Sequence, residues 1–405
     1  MAAREVVILG AARTAIGRYG GSLKDVHPAE LGAVATRAAL ERAGVAADEV
    51  DEVIMGHARQ AGSGPNPARQ VGHRAGMPFA TPAQTINKAC ASGMQAIAGA
   101  AQSILLGESE CVVAGGIESM SRVPYLIDSS HARWGHRMGN FPLVDAMCRD
   151  GFQDPLSGLV MGETAEVLAR QYGITRDQSD QFALESQLKA EAAQKAGHFR
   201  REIVPITLPA EGSRKAAGPT IFDTDEHPRH GTTREALAKL PLAFPQGDGE
   251  TGIITAGSSS GITDGGAALV LASDQWAADR GLTPLARIAG WASAGVEPRI
   301  MGIGPVPAIE KLRQRSGLDV SLFELVEINE AFAAQVLAVL KDVDIPREKI
   351  NVNGGAIALG HPIGCTGARI VVTLLYEMER RQVGCGLATL CVSGGMGMAM
   401  AVERL

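Results

Sequence analysis

The chain has too little positive charge to hold a polyanion by its surface, and too short an apolar run to suggest a bilayer. Its 405 residues include 38 Lys and Arg against 44 Asp and Glu, a formal net charge of -6. That balance excludes a nonspecific grip on DNA or RNA, although a small polyanionic ligand could still be held locally. No run of about eighteen uncharged apolar residues occurs, which argues against a membrane span. Met1-Ala2-Ala3-Arg4-Glu5 passes directly into strand-like Val6-Val7-Ile8-Leu9, without the pattern of a signal or transit peptide, so a cytoplasmic location is expected. The six cysteines, Cys90, Cys111, Cys148, Cys365, Cys385 and Cys391, lack C-x-x-C spacing. Neither a disulfide framework nor a zinc site is indicated, and no metal or permanently bound cofactor is expected.

Hydrophobic residues make up 45% of the chain, enough for a large core, and the length fits two or three globular units. Apolar runs at 6–9, 52–55, 111–114, 267–271, 325–328 and 387–391 read as strands. Helical patterns cover 31–43, 92–106, 162–172, 176–196 and 366–380, with Gly and Pro at the joins, so the fold class is α/β. The two ends of the chain resemble each other. Pro28-Ala29 opens a helix, Gly44-Val45 follows it, and Val50-Asp51-Glu52-Val53 leads into a strand; Pro307-Ala308, Gly317-Leu318 and Phe323-Glu324-Leu325-Val326 repeat that order. In each half a glycine-rich turn, a long helix and an apolar strand come next, with Gly115-Gly116 or Gly394-Gly395 expected just beyond the strand. Between the halves the rhythm breaks into polar and aromatic residues that include five of the nine histidines. Such an excursion either carries ligand contacts or caps the core.

Four stretches carry chemistry. In Asn87-Lys88-Ala89-Cys90-Ala91-Ser92-Gly93-Met94, Cys90 precedes a helix of small residues, whose N-terminal partial charge favours thiolate. Cys90 is either a nucleophile or a buried structural cysteine. In Asn353-Gly354-Gly355-Ala356-Ile357-Ala358-Leu359-Gly360-His361-Pro362-Ile363-Gly364, the glycines imply close backbone approach around His361, a candidate base or oxyanion donor if not a structural histidine. Cys391-Val392-Ser393-Gly394-Gly395-Met396-Gly397 puts a cysteine at a glycine turn whose free N–H groups could hold an anion; a quiet core cysteine is the alternative. In Val326-Glu327-Ile328-Asn329-Glu330-Ala331-Phe332-Ala333 a strand runs through Asn329, which could simply cap a following helix. Gly247-Asp248-Gly249-Glu250-Thr251-Gly252 fits the dinucleotide pattern, but no strand precedes it and strand-like Ile253-Ile254-Thr255 follows, so an NAD enzyme is disfavoured.

In this order the four stretches resemble the signatures of the thiolase family, and the likeness runs over essentially the whole chain. The resemblance implies a five-layered α/β/α/β/α core of two related halves, residues 1–121 with 252–272 and residues 273–405, and an inserted CoA-binding loop domain at 122–251. It implies a homodimer or homotetramer. It also implies an acyltransferase that makes or cleaves 3-oxoacyl-CoA through an acyl-cysteine. Cys90 is then the acyl acceptor, His361 its activator, Cys391 the acid/base at the substrate's α-carbon, and Asn329 the residue that positions a water. Backbone N–H groups of Cys90 and Ser393 form one oxyanion hole, and the water with His361 Nε2 forms the other. The family usually has glycine where Ser393 stands, and a positive φ there would be costly.

For coenzyme A, Ser260 resembles a pantetheine-contacting serine, Ala331 and Phe332 line the same tunnel, and Arg229 lies near the adenine. Ser258 replaces a common Asn. Met161 and Met301 match the methionines that narrow the acyl pocket in short-chain members, implying acetyl-CoA and acetoacetyl-CoA as substrates; Val160 stands where His is common, which leaves longer chains open. A 3-oxoacyl synthase of the same fold would not need Cys391. A lipid-binding protein of the fold without catalysis is the rival of a different class.

Overall fold

The computed structural model describes residues 4–209, 219–244 and 252–405. The dinucleotide-like stretch therefore lies outside the described residues except for Gly252. The first half comprises strands β1 (Val6–Thr14), β2 (Glu52–Gly56), β3 (Ala83–Ile86), β4 (Cys111–Ser119) and β5 (Thr263–Ser273), with helices α1 (Pro28–Ala43), α2 (Pro67–Arg74) and α3 (Ser92–Leu106). Between β4 and β5 come α4 (Met161–Gln171) and α5 (Arg176–Ala196). The second half contains β6 (Ala286–Gly295), α6 (Pro305–Ser316), β7 (Leu325–Ile328), α7 (Ala333–Asp342), α8 (Ile363–Arg381), β8 (Cys385–Val392) and β9 (Met396–Arg404).

Strand pairing establishes the duplication independently of the sequence repeat. In the first half β2, β4, β5 and β1 lie side by side, the first pair parallel and the next two antiparallel. In the second, β7, β8, β9 and β6 follow the same order with the same directions. Even the irregularities correspond: β1 breaks register between Ile8 and Gly10, and β6 between Ile288 and Gly290. Both first helices end on a left-handed glycine, Gly44 at φ 67° and Gly317 at φ 74°, the conformation that glycine adopts without a Cβ penalty. The halves meet where β1 pairs with β6 through Val7 with Arg287 and Ile8 with Ala286.

Helices complete the layers. α1 packs on β1 and β5, with α2 beside it; α3 and α8 pack on each other at the centre; α6 lies on β6 and β9. The central pair comes close because its contact residues are small. A Cβ on Gly93 would sit 2.7 Å from Ala368 N, and one on Gly367 would sit 2.5 Å from Met94 N. The repeated α/β layering of two homologous halves matches the expected fold. The excursion between β4 and β5 packs through α4 and α5 on α7 and on the turn Pro298–Ile303.

Three expectations need correction. Gly115 and Gly116 lie inside β4 and not beyond it, because a Cβ there would come within 2.1 Å of Ala267 O or 2.4 Å of Gly364 O. Ile253-Ile254-Thr255 is not a strand: the Glu166 carboxylate accepts the N–H groups of Ile253 and Ile254 at 2.9 and 2.8 Å, which leaves only a single bridge at Thr255. The segment Ala89–Leu106, which contains α3, is long and apolar enough, with mean hydropathy 1.2, to cross a membrane by length and composition. Its Met94, Ile97 and Ile104 are fully buried in the central layer, so its hydrophobicity serves the core.

Candidate active site

A cavity of about 800 Å³ opens between the halves and the excursion, and Cys90, His361, Cys391 and Ser393 all line it. Cys90 lies some 270 to 300 residues before the other three in the chain. What brings them together is the fold's repeat, since the N-terminal ends of the paired helices α3 and α8 point at the same place.

Cys90 sits in a sharp turn at the mouth of α3. Ala89 adopts φ 45°, unusual for a residue with a Cβ. The turn is fixed by Ser92, whose Oγ accepts from Lys88 N at 2.8 Å and donates to Ala89 O at 2.7 Å. The thiol meets two backbone donors, the N–H groups of Ser393 and of Cys90 itself, and both favour the thiolate, as does the Arg59 charge. Burial is nevertheless the largest influence and pushes the thiol above its ordinary pKa. The backbone donors at the helix terminus favour the thiolate, but desolvation outweighs them, and the resting group is a thiol.

His361 is buried, and its neutral form dominates. Burial, followed by the charges of Arg369 and Arg59, depresses its pKa to about 3. Its Nδ1 lies 2.6 Å from Thr366 Oγ1, and that hydroxyl donates to Pro362 O at 3.0 Å. With its one proton so committed, the hydroxyl accepts from Nδ1–H, and Nε2 is left as the basic nitrogen. Nε2 is buried with no hydrogen-bond partner among the described residues.

Cys391 ends β8 and is 1% exposed. Burial first, then the neighbouring Cys90, pushes its thiol well above the ordinary range. Beyond it, Gly394 and Gly395 take φ 83° and 79°, whereas Ser393 is not among the residues with positive φ. The glycines absorb the strain of the turn, so the serine's Cβ costs little there.

Asn329 is the one expected residue that does not line the cavity. It is fully buried behind it, with neither Oδ1 nor Nδ2 bonded among the described residues. It does not cap a helix, since α7 begins only at Ala333 after an N-cap at Phe332 that makes no side-chain cap bond.

The expected substrate contacts also gather here. Met161, Met301, Val160, Ser260, Ala331 and Phe332 line the cavity, with Arg229 at its rim. The loop carrying Ser260 runs beside Ala331–Ala333 through Ser260 N to Ala331 O and Ala333 N to Ser258 O, both 2.9 Å. Ser258 is fully buried and accepts from Thr255 N at 3.0 Å, so this smaller side chain closes its own turn. Sequence reasoning missed Arg59, Phe152 and His227, which also line the cavity. A signal for Arg59 existed: it follows the carboxyl end of parallel strand β2, where ligands of such sheets are met.

Among the described residues no cluster of three or more His, Cys, Asp or Glu side chains could hold a metal. The layered fold of two halves and the cysteine-lined cavity define a class, and comparison with known proteins gives it a family. The model of the thiolase N-terminal domain matches residues 6–275, and that of the thiolase C-terminal domain matches residues 282–404. The chain belongs to the thiolase family. It is 52% identical over 400 residues to an acetyl-CoA acetyltransferase of Cupriavidus necator, with 99% of each chain covered. The crystal structure of the Bacillus anthracis acetyl-CoA acetyltransferase superposes with a TM-score of 0.94 at 48% identity, again over 99% of each chain. Human mitochondrial 3-ketoacyl-CoA thiolase gives 0.93 at 41% identity over 100% of each.

Proposed function

We propose that the chain is an acetyl-CoA C-acetyltransferase that interconverts two acetyl-CoA with acetoacetyl-CoA and CoA through an acetyl group on Cys90. The observation that carries this reading is the convergence of Cys90, His361 and Cys391 on one cavity, with Ser393 N–H and Cys90 N–H facing the Cys90 thiol.

In the cleavage direction Cys90 passes its proton to His361 Nε2 as sulfur attacks the C3 carbonyl. Because His361 rests neutral and Cys90 rests as a thiol, the transfer accompanies attack and does not precede it. The C2–C3 bond breaks, and the electron pair left on C2 takes the proton of Cys391. CoA then gives its thiol proton to Cys391 and attacks the acyl group. Cys90 leaves and recovers its proton from His361. Condensation is the reverse, with Cys391 as the base that removes the α-proton. The two backbone N–H groups at Cys90 suit the oxyanion of the acyl-enzyme, and the unbonded atoms of Asn329 and His361 Nε2 support a second site for the thioester oxygen, bridged by water.

Met161 and Met301 favour short acyl groups. The division into residues 1–121 with 252–272, 122–251 and 273–405, a homodimeric or homotetrameric assembly, a cytoplasmic location and the absence of nucleic-acid or membrane partners belong to the same reading. A broader 3-ketoacyl-CoA thiolase is the second reading, favoured by Val160 at the cavity wall. The test is thiolysis of 3-oxoacyl-CoA substrates of increasing length, with mass spectrometry of the Cys90 peptide. Comparable turnover of acetoacetyl-CoA and a medium-chain substrate would favour the second reading, and an absent Cys90 adduct would refute both.

A further inference from the structure

Arg59 is a buried arginine whose guanidinium has no ion-pair partner among the described residues. Its side chain is 8% exposed, lines the same cavity as Cys90, and has no carboxylate within salt-bridge distance among the described residues. Nη2 donates to Gly151 O at 2.9 Å, Nε is buried without a partner, and Nη1 has no partner among the described residues. Gly151 makes this placement sterically possible, since a Cβ there would fall 2.7 Å from Arg59 Nε. The nearby carboxylate of Glu118 faces other groups: it accepts from Arg59 N at 3.1 Å, Ala58 N at 3.3 Å and Gly364 N at 2.8 Å, and His57 Nε2 lies 3.1 Å from its Oε1.

The position is held from both catalytic sides. Asn87 Nδ2, three residues before Cys90, donates to Ala58 O at 3.1 Å. Through Glu118 the same segment is tied to Gly364, three residues after His361. A buried, unpaired guanidinium is costly in general and persists where an anion completes it; its planar fork suits a carboxylate in particular.

From this geometry we propose that Arg59 is a carboxylate-binding residue for the acyl tail, and that the enzyme also cleaves 3-oxoacyl-CoA substrates whose chain ends in a carboxylate. The proposal rests on the thiolase reading above. In cleavage, the fragment that stays on Cys90 is the one bearing the tail, so the tail lies on the Cys90 side of the cavity, where Arg59 is. No bond of the tail changes. The C2–C3 bond breaks, sulfur acquires the ω-carboxyacyl group, C2 takes the Cys391 proton, and CoA removes the acyl group with proton return as before.

The test compares thiolysis of acetoacetyl-CoA with that of the CoA thioester of 3-oxohexanedioic acid in the wild-type enzyme, Arg59→Leu and Arg59→Lys. Wild type is expected to cleave both and to carry a four-carbon carboxyacyl group on the Cys90 peptide. In Arg59→Leu the ratio of kcat/KM for the diacid to that for acetoacetyl-CoA is expected to fall roughly 30- to 100-fold, as a lost charge-assisted pair implies, with partial recovery in Arg59→Lys. If Arg59→Leu does not fold, the milder Arg59→Lys and the wild-type adduct decide. Wild-type cleavage of acetoacetyl-CoA without the diacid, or an unchanged ratio in the variants, would overturn the carboxylate assignment while leaving the thiolase reading intact. Inactivity on both substrates with no Cys90 adduct would sink the thiolase reading itself.

Discussion

Cys90 stands at the head of α3 in the first half, and Cys391 stands at the end of β8 in the second. Both are cysteines beside glycine-rich backbone, and both line one cavity. Their surroundings differ. Cys90 is half-buried, faces two backbone N–H donors and feels the Arg59 charge; Cys391 is buried and feels chiefly desolvation and the other thiol. Burial raises the cost of negative charge on both sulfurs; the first environment supplies two backbone donors and a cation that offset part of it, and the second only its own N–H. A nucleophile needs the former, while a group that must hold a proton until a carbanion forms is served by the latter. A duplicated scaffold has thus given one residue type two electrostatic surroundings by placing it at non-equivalent points of the repeat.

The strongest way to break this comparison is to remove each thiol in turn. Cys90→Ala should abolish acyl-enzyme formation, detected as loss of the acetylated peptide after incubation with acetyl-CoA. Cys391→Ala should lower condensation by about 10² to 10⁴, measured as acetoacetyl-CoA formation, while acyl exchange between Cys90 and CoA persists. Equal loss of both half-reactions in a folded Cys391 variant would mean that it only packs.

Next in size is the histidine that serves Cys90. His361→Ala should slow acylation by about 10² to 10³, read as the rate of adduct formation. Thr366→Val should cost roughly 10-fold in kcat by freeing the imidazole to adopt the other tautomer, and Thr366→Ser should restore it. A loss of packing alone would leave Thr366→Ser no better than Thr366→Val in kcat at equal thermal stability.

A pH profile sharpens the comparison further. With His361 neutral above about pH 3 and the Cys90 thiol raised, alkylation of Cys90 by iodoacetamide should climb with pH through 9. No inflection belongs between about pH 6 and 7, where an ordinary histidine titrates. A plateau in that window would mean a preformed thiolate-imidazolium pair. The smallest effect is expected from Ala89→Gly, which relieves the positive φ before the nucleophile. It should change stability by less than about 1 kcal/mol in the favourable direction, visible as a small rise in Tm.

Much of this was legible in the sequence because its elements are periodic and its turns chemically marked. The helices at 92–106 and 176–196 coincide with α3 and α5, and the first begins where Ser92 locks the turn. Strands β3, β6 and β9 were not read, since β6 and β9 mix Gly, Ala and Met, which favour no strand by themselves. Cys90, His361 and Cys391, the trio proposed to carry the chemistry, were read from glycine-marked loops. Arg59 was not, because its place after β2 marks a ligand-binding edge but not a charge without a partner: the lack of a carboxylate beside it among the described residues is a tertiary fact. The acidity of Cys90 also escaped the sequence, because a helix terminus is visible there and the degree of desolvation is not.

The position of β1 has a consequence for how the chain is made. Its sheet partners β5 and β6 and its short neighbour at Ile203–Val204 all lie far downstream. At about 5–20 residues per second, the ribosome needs roughly 12–50 s after finishing β1 to deliver β5. Throughout that interval residues 6–12 of β1, all destined for burial, have no strand partner on the nascent chain. Among these strands β1 therefore waits longest for its partners, and α1, which follows it in the chain and packs on it, is the first element able to cover it.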